Sequence, residues 1–148
     1  MKTVKEILDS KGKAVFSISP KAKVFDALKL MNEKEIGALM VMDEKGDVHG
    51  IISERDYARK VMLLGKSSLE TQVAEIMTAA EKMVHVKPGT TVEECMVIMT
   101  GKHVRHLPVC DNDKFVGLIS IGDVVKTLVT EKEDLIEQLS NYIAGKYM

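Results

Sequence analysis

The strongest constraint on the fold of this chain is that its sequence is written twice. Residues 24–31 (VFDALKLM) and 92–99 (VEECMVIM) carry apolar side chains at their first, fifth and eighth positions, with a small residue, Ala27 or Cys95, at the fourth. That spacing is one face of a helix, repeated. Before each helix runs an apolar–polar alternation ending in proline, FSISP at 16–20 and VHVKP at 84–88. After each comes a short apolar strand closed by aspartate, ALMVMD at 38–43 and LPVCD at 107–111. A turn and a second strand follow, VHGIIS at 48–53 and FVGLIS at 115–120, and a further helix over 54–64 or 122–130. Upstream, TVKEILD at 3–9 matches QVAEIMT at 72–78, two short leading helices.

Two repeats therefore occupy residues 3–64 and 73–130, joined by a linker at 65–72 in which Gly65 stops the preceding helix. The alternation of helices and strands places each repeat in the mixed α/β class, with a β-α-β-β-α core. One repeat of about 60 residues is marginal alone, because a small domain buries too little surface. Two repeats facing each other across a pseudo-two-fold supply that burial and create two equivalent clefts. Beyond them, Leu135, Leu139, Tyr142 and Ile143 recur at helical spacing, with Leu128 and Ile136 near the same stripe. The segment 131–148 reads as a C-terminal amphipathic helix that packs on its own domain; docking on a partner subunit is the alternative.

Composition narrows the function. A hydrophobic share of 45% fills a core, and a charged share of 29% suits a soluble surface. The net charge of -1 and the 4% aromatic content without tryptophan make nucleic acid an unlikely partner. No apolar run is long enough to span a bilayer, and the first thirteen residues lack the apolar stretch of a secretory signal. Cys95 and Cys110 have no CxxC spacing and read as reduced thiols, so the expected location is cytoplasmic. No nucleophile elbow, Walker loop, HExxH or GxGxxG occurs, and no enzymatic activity is expected. His103, His106 and Cys110 straddle a helix-to-strand junction, a poor arrangement for a metal, and none is expected.

The residues that bear chemistry lie in GIISERD at 50–56 and GLISIGD at 117–123. Both read Gly-apolar-apolar-Ser-x-x-Asp at the end of a strand and the start of a helix. Taken once, Ser-x-x-Asp is a capping box. Taken twice, capping leaves the glycine three residues before each serine unexplained. A carboxylate at a helix start can accept two hydrogen bonds from a vicinal diol, as in ribose. The helix amides beside it suit phosphate.

On these residues the chain resembles a tandem pair of CBS domains, the family named after cystathionine β-synthase, over nearly its whole length. The resemblance implies that Ser53 and Asp56 in one copy, and Ser120 and Asp123 in the other, hold ribose; serine stands where the family more often has threonine. It assigns the base to Ser17, Ile18, Pro20, Gly37, Ala38 and Leu39 in the first copy. In the second, the corresponding residues are His85, Val86, Pro88, His106, Leu107 and Pro108. For phosphate the candidates are Arg55 and Arg59, four residues apart, with Arg105 and His106; the alternative is that the arginines pair with Glu54, Asp56 or another surface acid.

The copies differ. Ile121 and Gly122 replace Glu54 and Arg55, while Arg105 and His106 replace Gly37 and Ala38, so unequal ligand preferences are expected. The function implied is a non-catalytic regulatory module that binds an adenosine nucleotide in clefts between the repeats and reports it through a homodimer. AMP is favoured, with ATP, ADP, NAD(H) and S-adenosylmethionine as alternatives, and no cofactor is required. The second reading is a protein-interaction module with structural clefts. The chain is similar to small CBS-pair proteins of bacteria and plant organelles, some of which regulate thioredoxin, and this suggests a thioredoxin-like partner. A nucleotide-acting enzyme is the least favoured reading.

Overall fold

The computed structural model describes residues 2–12 and 14–145. Helix α1 (Val4–Lys11) is followed by β1 (Ser17–Ile18), α2 (Val24–Lys34), β2 (Ala38–Met42), β3 (Val48–Ser53) and α3 (Glu54–Tyr57), which widens into a π-helical turn at Ala58–Met62. Then come α4 (Val73–Ile76), β4 (Thr78–Ala79), a 3-10 turn (Ala80–Lys82), α5 (Val92–Lys102), β5 (His106–Asp111), β6 (Lys114–Ser120) and α6 (Ile121–Ile143). Each repeat is mixed α/β, as its sequence pattern requires.

The compact units of the fold divide the chain differently from the repeats. Ala14–Val84 forms one unit, and the other joins α1 to everything from His85 onward. The leading helices are thus exchanged between repeats, and the hydrogen bonds show why. The first amides of any helix lack intrahelical acceptors. In the unit of residues 14–84, Val24 N donates to Thr71 O at 2.8 Å and Val73 N to Ala22 O at 2.8 Å, so α2 and α4 satisfy each other's starts. In the other unit, Val4 N donates to Thr90 O at 2.9 Å and Val92 N to Lys2 O at 3.0 Å, the same arrangement for α1 and α5. The prolines ending the two alternations take part: Pro20 O accepts from Ala74 N, and Pro88 O from Lys5 N, each at 2.9 Å.

In the unit of residues 14–84 the strands run in the order β1-β2-β3-β4. β1 is parallel to β2, and the other pairs are antiparallel. The sequence pattern carried no sign of β4, whose Thr78 and Ala79 pair with Ile51 and Gly50. Gly50 permits it, since a Cβ there would lie 2.2 Å from the Thr78 carbonyl oxygen. In the other unit β5 and β6 form a hairpin, with Val86 bridged in parallel to Val109. There Gly117 faces Leu8 of α1, and a Cβ would meet Leu8 Cδ2 at 2.8 Å. The glycine before each capping serine therefore makes room for the exchanged segment. Its repetition has a structural cause that involves no ligand.

The core of the 14–84 unit gathers Val24, Ala27 and Met31 of α2 with Leu39, Val41, Ile52, Val61, Val73 and Ile76. The fully buried positions of α2 are the first, fourth and eighth, and those of α5 match: Val92, Cys95 and Met99. The small residue at the fourth position is the buried one, while Leu28 and Met96 at the fifth are half-buried. A small side chain lets the helix approach its sheet closely.

The hairpin turns also differ. Asn112 and Asp113, both at positive φ (50° and 65°), make a two-residue turn between β5 and β6. Between β2 and β3, Asp43 Oδ1 accepts from Lys45 N at 2.9 Å and Asp47 N at 3.0 Å to shape a longer loop. Finally, the closing helix of the second repeat and the expected tail helix are one continuous element, α6. Residues 146–148 of that tail lie outside the described residues. Among the described residues no helix is long and apolar enough to cross a membrane.

Candidate functional site

Both Ser-x-x-Asp words form complete capping boxes. At the start of α3, Asp56 N donates to Ser53 Oγ at 3.3 Å, and Ser53 N donates back to Asp56 Oδ2 at 2.9 Å. At the start of α6, Asp123 N donates to Ser120 Oγ at 3.2 Å and Ser120 N to Asp123 Oδ2 at 2.8 Å. The strand next to each box is placed in the same way. Ala38 lies opposite Ser53, and Gly37 O accepts the Glu54 amide at 3.0 Å. His106 lies opposite Ser120, and Arg105 O accepts the Ile121 amide at 2.8 Å. Gly37–Ala38 and Arg105–His106 are therefore structural equivalents beside the two helix starts.

Each carboxylate also holds a lysine that sequence reasoning missed. Lys60 Nζ sits 3.2 Å from Asp56 Oδ1 and donates to Ile76 O at 2.8 Å. Lys11 Nζ sits 2.7 Å from Asp123 Oδ2 and donates to Leu118 O at 3.1 Å. Lys60 is four residues from Asp56 on its own helix, a spacing visible in the sequence. Lys11 arrives on the exchanged helix from 112 residues away, beyond any local pattern.

The electrostatics follow. Burial opposes ionisation of Asp123, but the hydrogen bonds from Lys11 and Ser120 outweigh it and hold the carboxyl below its ordinary value. Burial lowers the pKa of His106, and the charges of Lys11 and Arg105 push the same way against an opposing pull from Asp123. His106 is thus an uncharged ring at neutral pH, able to donate or accept a hydrogen bond. Acting on phosphate as a cation would require a protonation that its surroundings resist.

The remaining candidates separate by exposure. Leu39 and Leu107 are wholly buried, and Val86 and Pro108 are buried too, so their side chains belong to the core. Ile18 packs against the core of its unit. Ser17 and His85 are exposed, Pro20 and Pro88 half-buried. Arg55 on α3, Arg59 in the π-helical turn and Arg105 before β5 are exposed.

Among the described residues a cleft opens in each unit. One, of about 350 Å³, is lined by Leu28, Met31, Asn32, Glu35, Ile36, Gly37 and Glu54. The other, of about 260 Å³, is lined by His85, Lys87, Cys110, Asp111, Asn112 and Asp113. Each reaches one base candidate, Gly37 or His85, and neither includes a ribose candidate.

Comparison with known proteins bears on the repeats and on the fold. The CBS domain family model matches residues 4–63 and 73–130. The mitochondrial CBS domain-containing protein CBSX3 of Arabidopsis thaliana is 38% identical over 151 residues, covering 98% of this chain and 73% of that protein. A putative signal-transduction protein with CBS domains from Burkholderia ambifaria superposes with a TM-score of 0.82 at 48% identity, covering 87% of this chain and 95% of that one. The CBS domain pair of protein MJ0100, solved with 5'-methylthioadenosine and S-adenosyl-L-methionine, shares the fold with a TM-score of 0.75 at 23% identity, over 88% of this chain and 98% of that one.

Proposed function

This chain belongs to the CBS-domain family, and on that premise we propose that it is a non-catalytic regulatory module for an adenosine-containing ligand, AMP foremost. The observation that carries this reading is the duplicated hydroxyl–carboxylate pair where a strand ends and a helix begins. A carboxylate offers about four acceptor positions. In Asp123 the Ser120 amide and Lys11 both engage Oδ2, which leaves Oδ1 to accept from the two hydroxyls of a ribose. In Asp56 the Ser53 amide, the Ser53 hydroxyl and Lys60 take three positions, which leaves about one for a ribose hydroxyl. Lys60, Lys11, Arg55, Arg59 and Arg105 supply positive charge near these carboxylates for a phosphate. MJ0100, which shares the fold, binds two ligands that have adenosine in common, and this supports adenosine as the recognised group.

The ligand state is read out through a homodimer; the hexameric CBS-CP12 protein of bloom-forming cyanobacteria, which shares the fold, supports self-association in general. Ligand binding acts there only by favouring one of two arrangements over the other. The second reading is a protein-interaction module, with a thioredoxin-like protein as the partner to test. The exposed run of Met62, Leu63 and Leu64 favours a protein contact.

The test is thermal unfolding with AMP, ADP, ATP, NAD(H) and S-adenosylmethionine, for wild type, Asp56→Asn and Asp123→Asn. Asparagine keeps an acceptor for the serine amide, so the helix cap survives. A native-state ligand at 100 times its Kd adds about 2.7 kcal/mol. For a chain of this size that is roughly a 5–11 °C rise in Tm. Loss of the shift in one variant assigns the occupied site. No shift with any ligand, confirmed by calorimetry, would end the sensor reading and leave the protein-interaction one.

A further inference from the structure

We propose that the two sites demand different sugars: the Asp123 site requires both hydroxyls of a ribose, whereas the Asp56 site requires only one and so accepts a deoxyribose. Lys11 and Lys60 are the specificity-determining residues, acting through the carboxylates they hold. This rests on the ribose reading of the proposed function and narrows it to a ligand class for each site.

The difference lies in which carboxylate oxygen each lysine takes. In both capping boxes the serine amide donates to Oδ2, at 2.9 Å in Asp56 and 2.8 Å in Asp123. Lys11 Nζ joins that amide on the same Oδ2 of Asp123 at 2.7 Å. Lys60 Nζ goes instead to the other oxygen of Asp56, Oδ1, at 3.2 Å. The Ser53 hydroxyl adds a third bond to Asp56, on Oδ2 at 3.2 Å. A carboxylate oxygen offers about two acceptor positions. Oδ1 of Asp123 therefore keeps about two, one for each hydroxyl of a vicinal diol. Oδ1 of Asp56 keeps about one, and a single hydroxyl saturates it. Asp123 is also the more open carboxylate, with 23% of its side chain exposed against 15% for Asp56.

Each lysine is tied at a second point, which keeps it on its own oxygen. Lys11 arrives on α1, anchored by buried Val4, Ile7 and Leu8, and donates to Leu118 O at 3.1 Å. It is thus held on the strand that leads into its capping box. Lys60 lies one turn beyond Asp56 and donates to Ile76 O at 2.8 Å. It is held on the helix that leads out. The two boxes are equivalent in sequence and backbone, and the direction from which the cation arrives makes them unequal.

The consequence is a difference in sugar selectivity. Removing either hydroxyl from a ligand at Asp123 breaks a hydrogen bond to a charged acceptor, a loss of about ten- to a hundredfold in affinity. At Asp56 the remaining hydroxyl can fill the one open position, so a deoxyribose loses little.

Calorimetric titration of the full chain with AMP, 2′-deoxyAMP and 3′-deoxyAMP tests this. Asp56→Asn isolates the Asp123 site, and Asp123→Asn isolates the Asp56 site. The three ligands share base and phosphate, so those contributions cancel in the ratios of Kd. In Asp56→Asn both deoxynucleotides should bind about tenfold or more weaker than AMP. In Asp123→Asn at least one of them should match AMP. Adding Lys60→Met to Asp123→Asn clears Oδ1 of Asp56, and both deoxynucleotides should then fall about tenfold or more below AMP. A folding defect would weaken all three ligands alike and leave the ratios unchanged. Equal selectivity at the two sites, the reverse order, no response to Lys60→Met, or a site that binds none of the three would overturn the proposal. If AMP binds both sites with equal selectivity, the adenosine-sensor reading stands and only the sugar assignment fails. If AMP binds neither site, the sensor reading for AMP fails and the sugar assignment with it.

Discussion

Replacing Gly50 and Gly117 by alanine, one at a time, distinguishes two kinds of close approach. At Gly50 the new Cβ would lie 2.2 Å from the Thr78 carbonyl oxygen and 3.1 Å from its carbon. Carbon–oxygen contacts settle near about 3.3 Å, so the neighbouring backbone must move by about 1 Å. Thr78 is part of a paired strand, and its main chain has no rotamer to change. The displacement costs about 1–3 kcal/mol of overpacking, and each β3–β4 backbone hydrogen bond it weakens costs about 1 kcal/mol more.

At Gly117 the obstacle is the far end of a side chain, Leu8 Cδ2 at 2.8 Å and Cδ1 at 3.2 Å. A torsional adjustment of Leu8 relieves it for about 0.5–1.5 kcal/mol. Both variants regain about 0.4–1 kcal/mol from the lower entropy of their unfolded chains. Gly50→Ala should therefore be the more damaging by about 2–3 kcal/mol, or roughly 4–12 °C in Tm. Urea unfolding and scanning calorimetry measure the difference. Leu8→Ala should reduce the cost of Gly117→Ala and leave that of Gly50→Ala unchanged. Equal losses at the two sites, or a greater loss at Gly117, would refute the reasoning that backbone against side chain decides the cost.

Acid should destabilise the unit that holds Asp123 in two steps. His106 has a folded pKa below its ordinary 6.5, so its contribution is complete above that value and is lost as pH falls through the folded pKa. Asp123 has a folded pKa below 3.8, so its contribution is complete above about 4 and is lost at lower pH. In a Tm-against-pH series His106→Gln should abolish the upper step; an unchanged profile would contradict the assignment. Lys11→Met should raise the His106 pKa, read by NMR titration of the ring, because it removes a charge that lowers it. The thiols should react unequally with Ellman's reagent. Burial first, then Glu94, pushes buried Cys95 up to about 11, whereas half-buried Cys110 is raised by burial and Asp113. Cys110 should label slowly and Cys95 only in denaturant, and equal rates in the native protein would count against this.

Much of the fold is local and was legible in the chain. The apolar spacing of 24–31 and 92–99 specified α2 and α5, and the short apolar runs specified β2, β3, β5 and β6. Ser53 with Asp56, and Ser120 with Asp123, announced two helix starts because a capping box closes within one turn. Lys60 was equally visible, one turn beyond Asp56. Family membership also lay in the sequence, since the repeated words span nearly the whole chain.

Other features depend on segments far apart in the chain, and only tertiary structure decided them. The amides at the start of α1 find their acceptors beside α5, and those of α4 beside α2, so the leading helices cross between repeats. That exchange brings Lys11 onto Asp123 and leaves His106 uncharged beside it. It also seats β4 against Gly50 and Leu8 against Gly117, and so explains the glycines that the sequence pattern alone had left to a ligand. The duplicated words determined by themselves that two equivalent helix starts would exist. Which lysine neutralises each carboxylate was decided by folding, because a periodic pattern records which face a residue occupies and not which distant segment will cover it.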